Sequence, residues 1–429
     1  MVFLTSNEPL TAPPSLVFSG EGTPGELPAK LRGEGLFGTV VGDEYRQGIG
    51  ILSSMGEYTG KHDGNHKSID FSARPDIDDF MALCREIGAE PFVTINPTWN
   101  TPEENAAWVE YCNGAPDTKY GALRAERGHE APYHVRFWSL GNEFGYGHME
   151  GDNTPIGYSR LALKNADKML SVCDKLCLCS CGPYPSAEWS AHAALPLSGV
   201  APLVSLHYYA SSPAYADPQA LEREYDQCLS SVMSARSKLR ALRSTLTGSM
   251  KISFDEWNTW SAWYRPSCVT DGLFTALMLH MLIGEADETG IAMACHFEAV
   301  NEGMIEVDAD TAALTASGQA FSLIQRHAGG KLLCASLDAV VTAREDRLTA
   351  TVINPSLHES RRVKLSLYGR LARAQIYTSQ CVTPHTRFDI RPIEAECDHG
   401  AYIFLMPPHS MLYAELEESE TTPDRTQGL

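Results

Sequence analysis

Between residues 75 and 300 the apolar positions follow two alternating rhythms. Phe80, Met81, Leu83, Cys84 and Ile87 recur at helical spacing and stop at Gly88, and residues 91–96 then read as a compact strand. Thr101-Pro-Glu-Glu104 is a capping box with proline at the first helical position, which predicts a helix ending at Asn113-Gly114. A long loop leads to a strand over 135–140, and a helix over 158–172 precedes a strand in which Cys177, Cys179 and Cys181 alternate with Leu178 and Ser180. Residues 202–209 form the next strand. Residues 217–246 are mostly helical, with Leu221, Tyr225, Leu229, Val232, Leu239 and Leu242 facing inward. A strand starting at Lys251, a helix over 272–284 and a strand over 291–297 complete the series. Such repetition predicts a parallel sheet with helices outside it, and at this length a closed (β/α)8 barrel of the TIM type.

After about residue 330 helical spacing disappears. Short alternating strands are predicted at 338–344, 347–353, 362–367, 374–378, 401–406 and 411–416, the pattern of an antiparallel β-sandwich attached to the barrel. The first 30 residues are rich in Pro, Gly and Ser, with one candidate strand at Ser15–Ser19. Residues 51–75 read as a polar loop, where His62 and His66 fit a solvated segment better than a metal pair. The acidic tail 417–429 reads as disordered. The expected layout is a divergent segment 1–30, a catalytic barrel 31–330, a sandwich 331–416 and the tail.

Composition narrows the partners. With 34 basic and 54 acidic residues the net charge is 34 − 54 = −20, which argues against nucleic acid and anionic membrane surfaces. The N-terminus lacks a basic region followed by an apolar core, and the most apolar run, 273–283, is too short to span a bilayer and contains His280. A cytoplasmic protein is expected. The twelve cysteines lack paired C-x-x-C spacing and read as reduced core residues, so neither a metal nor a cofactor is implied.

Two stretches carry candidate chemistry. In Lys251-Ile-Ser-Phe-Asp-Glu-Trp-Asn-Thr-Trp260 the buried alternation of Ile252 and Phe254 gives way to Asp255, Glu256, Trp257 and Asn258 in a row. A buried strand does not end in two carboxylates unless that end opens into a cleft. Carboxylate, aromatic ring and amide together suit sugar chemistry, although an Asp-Glu pair alone also fits a strand end with a helix N-cap. A second carboxylate presented in the same way, in Phe137-Trp-Ser-Leu-Gly-Asn-Glu143, makes a pair. Retaining glycosidases need two carboxyl groups roughly 5 Å apart across one glycosidic bond. Barrel enzymes build such sites at the C-terminal ends of their strands.

Trp138-Ser-Leu-Gly-Asn-Glu143 and Ile252-Ser-Phe-Asp-Glu-Trp-Asn258 resemble family 51 glycoside hydrolases, best known as α-L-arabinofuranosidases. The resemblance includes the segments 80–92 and 101–114 and runs over roughly residues 31–416. It implies Glu143 as general acid/base and Glu256 as nucleophile, while the residues alone fit either assignment. It further implies that Asn142 holds the hydroxyl beside the anomeric carbon and that Tyr209, in His207-x-Tyr209, hydrogen-bonds the nucleophile. Tyr209 also fits an ordinary strand-end aromatic, and Trp257 or Trp260 fits either a wall of the sugar site or core packing.

The chain departs from the family pattern in three places. No family-like first barrel strand precedes Arg32, so that strand is divergent or missing, and Ser15–Ser19 is the expected substitute. Arg32-Gly-Glu-Gly matches the family's second-strand turn without its proline and one glycine. Glu298 in Glu298-Ala-Val-Asn301 stands where the family places glutamine, exchanging an amide for a carboxylate near the sugar. The resemblance implies a retaining exo-glycosidase on α-L-arabinofuranosides and, by analogy, a homo-oligomer, often a hexamer. The alternatives are a relative with the same acid pair and another sugar (β-D-galactofuranosidase, β-xylosidase or endoglucanase) and a non-catalytic carbohydrate-binding barrel.

Overall fold

Seven parallel strands in chain order make one sheet: β1 (Ser15–Ser19), β2 (Glu90–Thr94), β3 (Phe137–Ser139), β4 (Cys177–Ser180), β5 (Leu203–Ala210), β6 (Lys251–Thr259) and β7 (Ile291–His296). The computed structural model describes residues 15–19 and 77–417, apart from 88, 96, 99, 146–151, 183–185, 212–217, 260–265, 298–302, 308–311, 346 and 368. Ser15–Ser19 is a strand, as expected, and it pairs directly with β2, from Ser15 opposite Glu90 to Ser19 opposite Thr94. The sheet curls until β1 also meets β7, as in an α/β barrel. The strand expected near Arg32, the loop 51–75 and the tail after 417 lie outside the described residues.

Helices cover the outside. They are α1 (Ile77–Ile87), α2 (Pro102–Asn113), α3 (Lys119–Glu126), α4 (Pro155–Val172), α5 (Ala187–Ala194), α6 (Leu221–Thr245) and α7 (Val269–Thr289). The capping box at α2 forms as predicted: Thr101 accepts from the Glu104 amide and the Glu104 carboxylate accepts from the Thr101 amide. Such a cap contributes about 1 kcal/mol. Helix α3 falls within the predicted long loop, and α5 in a stretch to which the sequence analysis assigned no element. At eight residues each they are too short to show a period, and their signals are the N-caps Thr118 and Ser186.

Helix α7 is longer than the predicted 272–284 and is buried almost all round. It is the one described helix long and apolar enough to cross a bilayer. Here it fills the seam between the parallel sheet on one side and the C-terminal sheet on the other, which is why its apolar surface wraps the whole cylinder.

The hairpin β8 (Ile305–Val307) and β9 (Ala312–Leu314) and the helix α8 (Ala316–Ile324) lead to the C-terminal unit. Its strands are β10 (Lys331–Ala335), β11 (Ala339–Arg344), β12 (Arg347–Asn354), β13 (Arg361–Leu365), β14 (Arg370–Thr378), β15 (Asp389–Pro392), β16 (Glu396–Asp398), β17 (Ala401–Met406) and β18 (Ser410–Glu417). They form a six-stranded sheet, β10-β11-β12-β18-β14-β15, and a three-stranded sheet, β13-β17-β16, with antiparallel pairing throughout. Strand alternation divides the larger sheet's side chains between two cores. Val341, Val352, Ile376 and Leu412 face the smaller sheet, whereas their neighbours Val340, Ile353, Tyr377 and Met411 join the core around α7. The sandwich is thereby fixed to the barrel through buried side chains.

Candidate active site

Along β5 and β6 the outward positions belong to the helix-facing core: Val204, Leu206 and Tyr208 on one strand, Ile252, Phe254 and Trp257 on the other. The step from 252 to 254 is the ordinary two residues, and the next step, to 257, is three. The register shows why: Ser205 lies opposite Ser253, but His207 lies opposite Glu256. Strand β6 carries one extra residue here, and against β7 as well, between Phe254 and Trp257. A bulge of this kind re-aims side chains without ending the strand. It turns both Asp255 and Glu256 into the barrel, beneath its C-terminal opening.

Glu143 arrives from β3 through a strained turn. Gly141 has φ 117°, and a Cβ there would sit 2.8 Å from the Phe144 ring and 3.2 Å from Pro97. The Ser139 hydroxyl donates to the Gly141 carbonyl at 2.8 Å. Glu143 itself has φ 45°, in the left-handed region that costs a residue with a side chain about 1–3 kcal/mol. The half-buried Asn142 precedes it.

The two glutamates converge on one imidazole. His207 Nδ1 lies 2.8 Å from Glu143 Oε1 and 3.3 Å from Glu256 Oε2, and its Nε2 lies 3.4 Å from Asp255 Oδ1. The Tyr209 hydroxyl donates to Glu256 Oε2 at 2.8 Å, and its ring stands edge-on to Phe297. Glu256 Oε1 is buried and has no hydrogen-bond partner among the described residues. Ser205 and Ser253 donate to the two Asp255 oxygens at 2.7 and 3.0 Å.

Electrostatics follow from this crowding. Burial pushes Glu256 up to about 8, with Glu143 and Asp255 adding to the rise and His207 and Tyr209 opposing it. Burial alone would lower His207, but Glu256, Asp255 and Glu143 outweigh it and raise the ring well above the usual histidine range. Glu143, His207 and Glu256 offer atoms within 4.8 Å of one another, a spacing that suits a divalent cation. With Nδ1 of His207 within 3.3 Å of both glutamates, the same three groups can also share a proton.

The structure therefore brings together Glu143, Glu256, His207 and Tyr209, with Asn142 next to Glu143 in the chain. Trp257 needs correcting: it sits beside Tyr208 on the helix-facing side, fully buried, its ring edge-on to His296 at 4.8 Å, so it packs the core and walls no site. Arg32, Trp260 and Glu298 lie outside the described residues. Asp255, Ser205 and Ser253 were missed as site residues. The irregular 252-254-257 spacing was the available signal for the first of them.

A parallel barrel that gathers two glutamates at the C-terminal ends of its strands has the architecture of a glycoside hydrolase. Comparison with known proteins points the same way. The family model described as "Alpha-L-arabinofuranosidase 1 domain" matches residues 36–227. A probable alpha-L-arabinofuranosidase C of Aspergillus niger is 31% identical over 252 residues, covering 52% of this chain and 48% of that protein. An intracellular exo-alpha-(1->5)-L-arabinofuranosidase of Acetivibrio thermocellus is 26% identical over 191 residues, 43% of this chain and 38% of that one. The chain spans about half the length of the curated Aspergillus relative it matches. The crystal structure of the α-L-arabinofuranosidase of Thermotoga maritima superposes with a TM-score of 0.73 at 23% identity, covering 96% of this chain and 98% of that one. In sequence over about half its length, and in fold over nearly all of it, the chain is similar to the α-L-arabinofuranosidases.

Proposed function

We propose that the protein hydrolyses terminal α-L-arabinofuranosyl residues with retention of configuration, Glu256 acting as nucleophile and Glu143 as general acid and then base. The observation that carries this reading is the approach of the two glutamates, whose oxygens come within 4.8 Å on either side of His207 Nδ1. Inverting enzymes hold their carboxyl groups about 6.5–9.5 Å apart to admit a water between them.

In the first step a Glu256 oxygen attacks the anomeric carbon, the bond to the leaving group breaks, and Glu143 gives its proton to the departing oxygen. In the second, Glu143 takes a proton from water, whose oxygen displaces Glu256 from the same carbon. The orientation of Glu256 supports the nucleophile role, since Tyr209 holds one oxygen and leaves the other without a partner. Burial favours a proton on Glu256 in the free site, which taken alone would make it the acid. A closely coupled pair titrates as a unit, however, so the proton belongs to the pair and the hydrogen-bonding geometry decides the roles.

The twelve cysteines are all unpaired, which supports a reducing, cytoplasmic setting. A homo-oligomer is the accompanying expectation, measurable by light scattering. A panel of nitrophenyl furanosides and pyranosides tests the substrate. Turnover of the arabinofuranoside is expected, and the carboxylate at position 298 in place of the family's amide extends the expectation to other furanosides. Turnover of pyranosides alone would overturn the reading.

A further inference from the structure

The geometry points to Asp255 as a positioning residue for this reaction: its carboxylate holds a doubly protonated His207 between Glu143 and Glu256. The inference rests on the glycosidase reading for its catalytic consequence and on geometry for the rest. Asp255 is buried, lies at the Nε2 end of the ring, and faces away from the glutamate pair at the Nδ1 end. Its other contacts are the Ser205 and Ser253 hydroxyls, which supply hydrogen bonds and no charge. A carboxylate this buried requires a cation, and His207 is the cation beside it among the described residues.

The ring supports the same conclusion from its own side. A neutral imidazole has one N–H and one lone pair. Here both nitrogens face carboxylate oxygens, so a neutral ring would turn its lone pair toward one of them.

Among the described residues no other element supplies a compensating charge. The thiols of Cys179 on β4, Cys181 just past its end and Cys295 on β7 are all raised by burial and hence uncharged. Strand β5 adds Tyr209 and Ser205, β6 adds Ser253 and Glu256, and the turn after β3 adds Glu143. The arrangement gives the extra residue of β6 a purpose. Without it, Asp255 and Glu256 would point to opposite faces, and the imidazole would lack either its anchor or its nucleophile neighbour.

The test is Asp255→Asn, nearly isosteric and uncharged, read in two ways. In substrate-free protein carrying 15N-labelled histidine, His207 should be protonated on both nitrogens at pH 7 in the wild type and on one in the variant. With a nitrophenyl arabinofuranoside, kcat should fall on the order of 100-fold with KM within a few-fold, and the acid limb of the pH profile should move to higher pH. Ser253→Ala, which removes one donor from Asp255, should move that limb in the same direction by less, and it decides the matter if Asp255→Asn does not fold. A neutral wild-type His207 at pH 7, or an unshifted profile in a folded variant, would overturn the proposal. If the wild type cleaves no furanoside the glycosidase reading fails, while the nitrogen spectra still decide whether Asp255 holds the ring.

Discussion

Replacing His280 by asparagine is expected to change how stability depends on pH, because His280 belongs to a buried relay that works only when neutral. The ring sits on α7, with Nδ1 3.2 Å from the Leu337 carbonyl and Nε2 2.8 Å from Thr351 Oγ1. Thr351 Oγ1 in turn lies 2.7 Å from Nε2 of His327, whose Nδ1 lies 2.9 Å from Thr342 Oγ1. One proton order satisfies every group. His280 Nδ1–H donates to the carbonyl, Thr351 donates to His280 Nε2, His327 Nε2–H donates to Thr351, and Thr342 donates to His327 Nδ1. A further proton on either ring would displace the hydroxyl hydrogen that its threonine donates and leave a charge buried without a counter-charge. Burial accordingly lowers His280 to about 4 and His327 to about 3.

Both folded values lie below the unfolded value near 6.5, so the neutral rings carry no penalty above that pH. Stability is lost as pH falls from 6.5 toward 4, where the unfolded chain takes up protons that the folded chain refuses. At pH 5 the loss is about 2 kcal/mol for His280. Glu256 and His207 titrate differently in the folded and unfolded chain over the same range, so the difference between variant and wild type isolates this contribution. The side-chain amide of asparagine can still donate to Leu337, but it abandons Thr351, a loss of about 1–3 kcal/mol at pH 7. Urea unfolding followed by tryptophan fluorescence at pH 7, 6 and 5 should show that gap closing by about 2 kcal/mol on acidification. A gap independent of pH would refute the relay.

Two further outcomes concern the site. Gly141→Ala places a Cβ 2.8 Å from the Phe144 ring at φ 117°, two residues before Glu143. It should cost about 1–3 kcal/mol and lower kcat on the order of 100-fold, read by thermal unfolding and steady-state kinetics, and an unchanged kcat would mean the turn does not aim Glu143. With Glu256 pushed up to about 8, chiefly by burial, the pair holds its single proton below that pH and loses it above. For substrates with poor leaving groups kcat/KM should therefore fall about tenfold per pH unit above about 8, and a flat profile to about pH 9.5 would contradict a shared proton.

The sequence was most legible where periodicity had room to repeat. The 25-residue helix α6, the capping box of α2 and the alternating strands β11, β12, β17 and β18 all stood out at close to their observed bounds. Helices of eight residues did not, because two turns give a period nothing to repeat against. The two glutamates were legible as strand-end carboxylates. The role of their surroundings was not, because it depends on a single extra residue in β6, which rotates Asp255 inward and Trp257 outward. That rotation put a tryptophan that could have walled the sugar site into the core and set Asp255 3.4 Å from His207. His280 offered no sequence signal beyond an imidazole in an apolar run, since its partners lie 57 and 71 residues away.

The division of labour between Glu143 and Glu256 is tested most directly by adding azide to the Glu143→Ala enzyme with an activated aryl arabinofuranoside. Azide needs no general base and would enter where the base-activated water otherwise does, displacing Glu256 from the covalent intermediate. The predicted product is an arabinofuranosyl azide of retained configuration, with the rate restored as azide is added. An azide product of inverted configuration from that variant would mean that Glu143 is the nucleophile, contradicting the assignment.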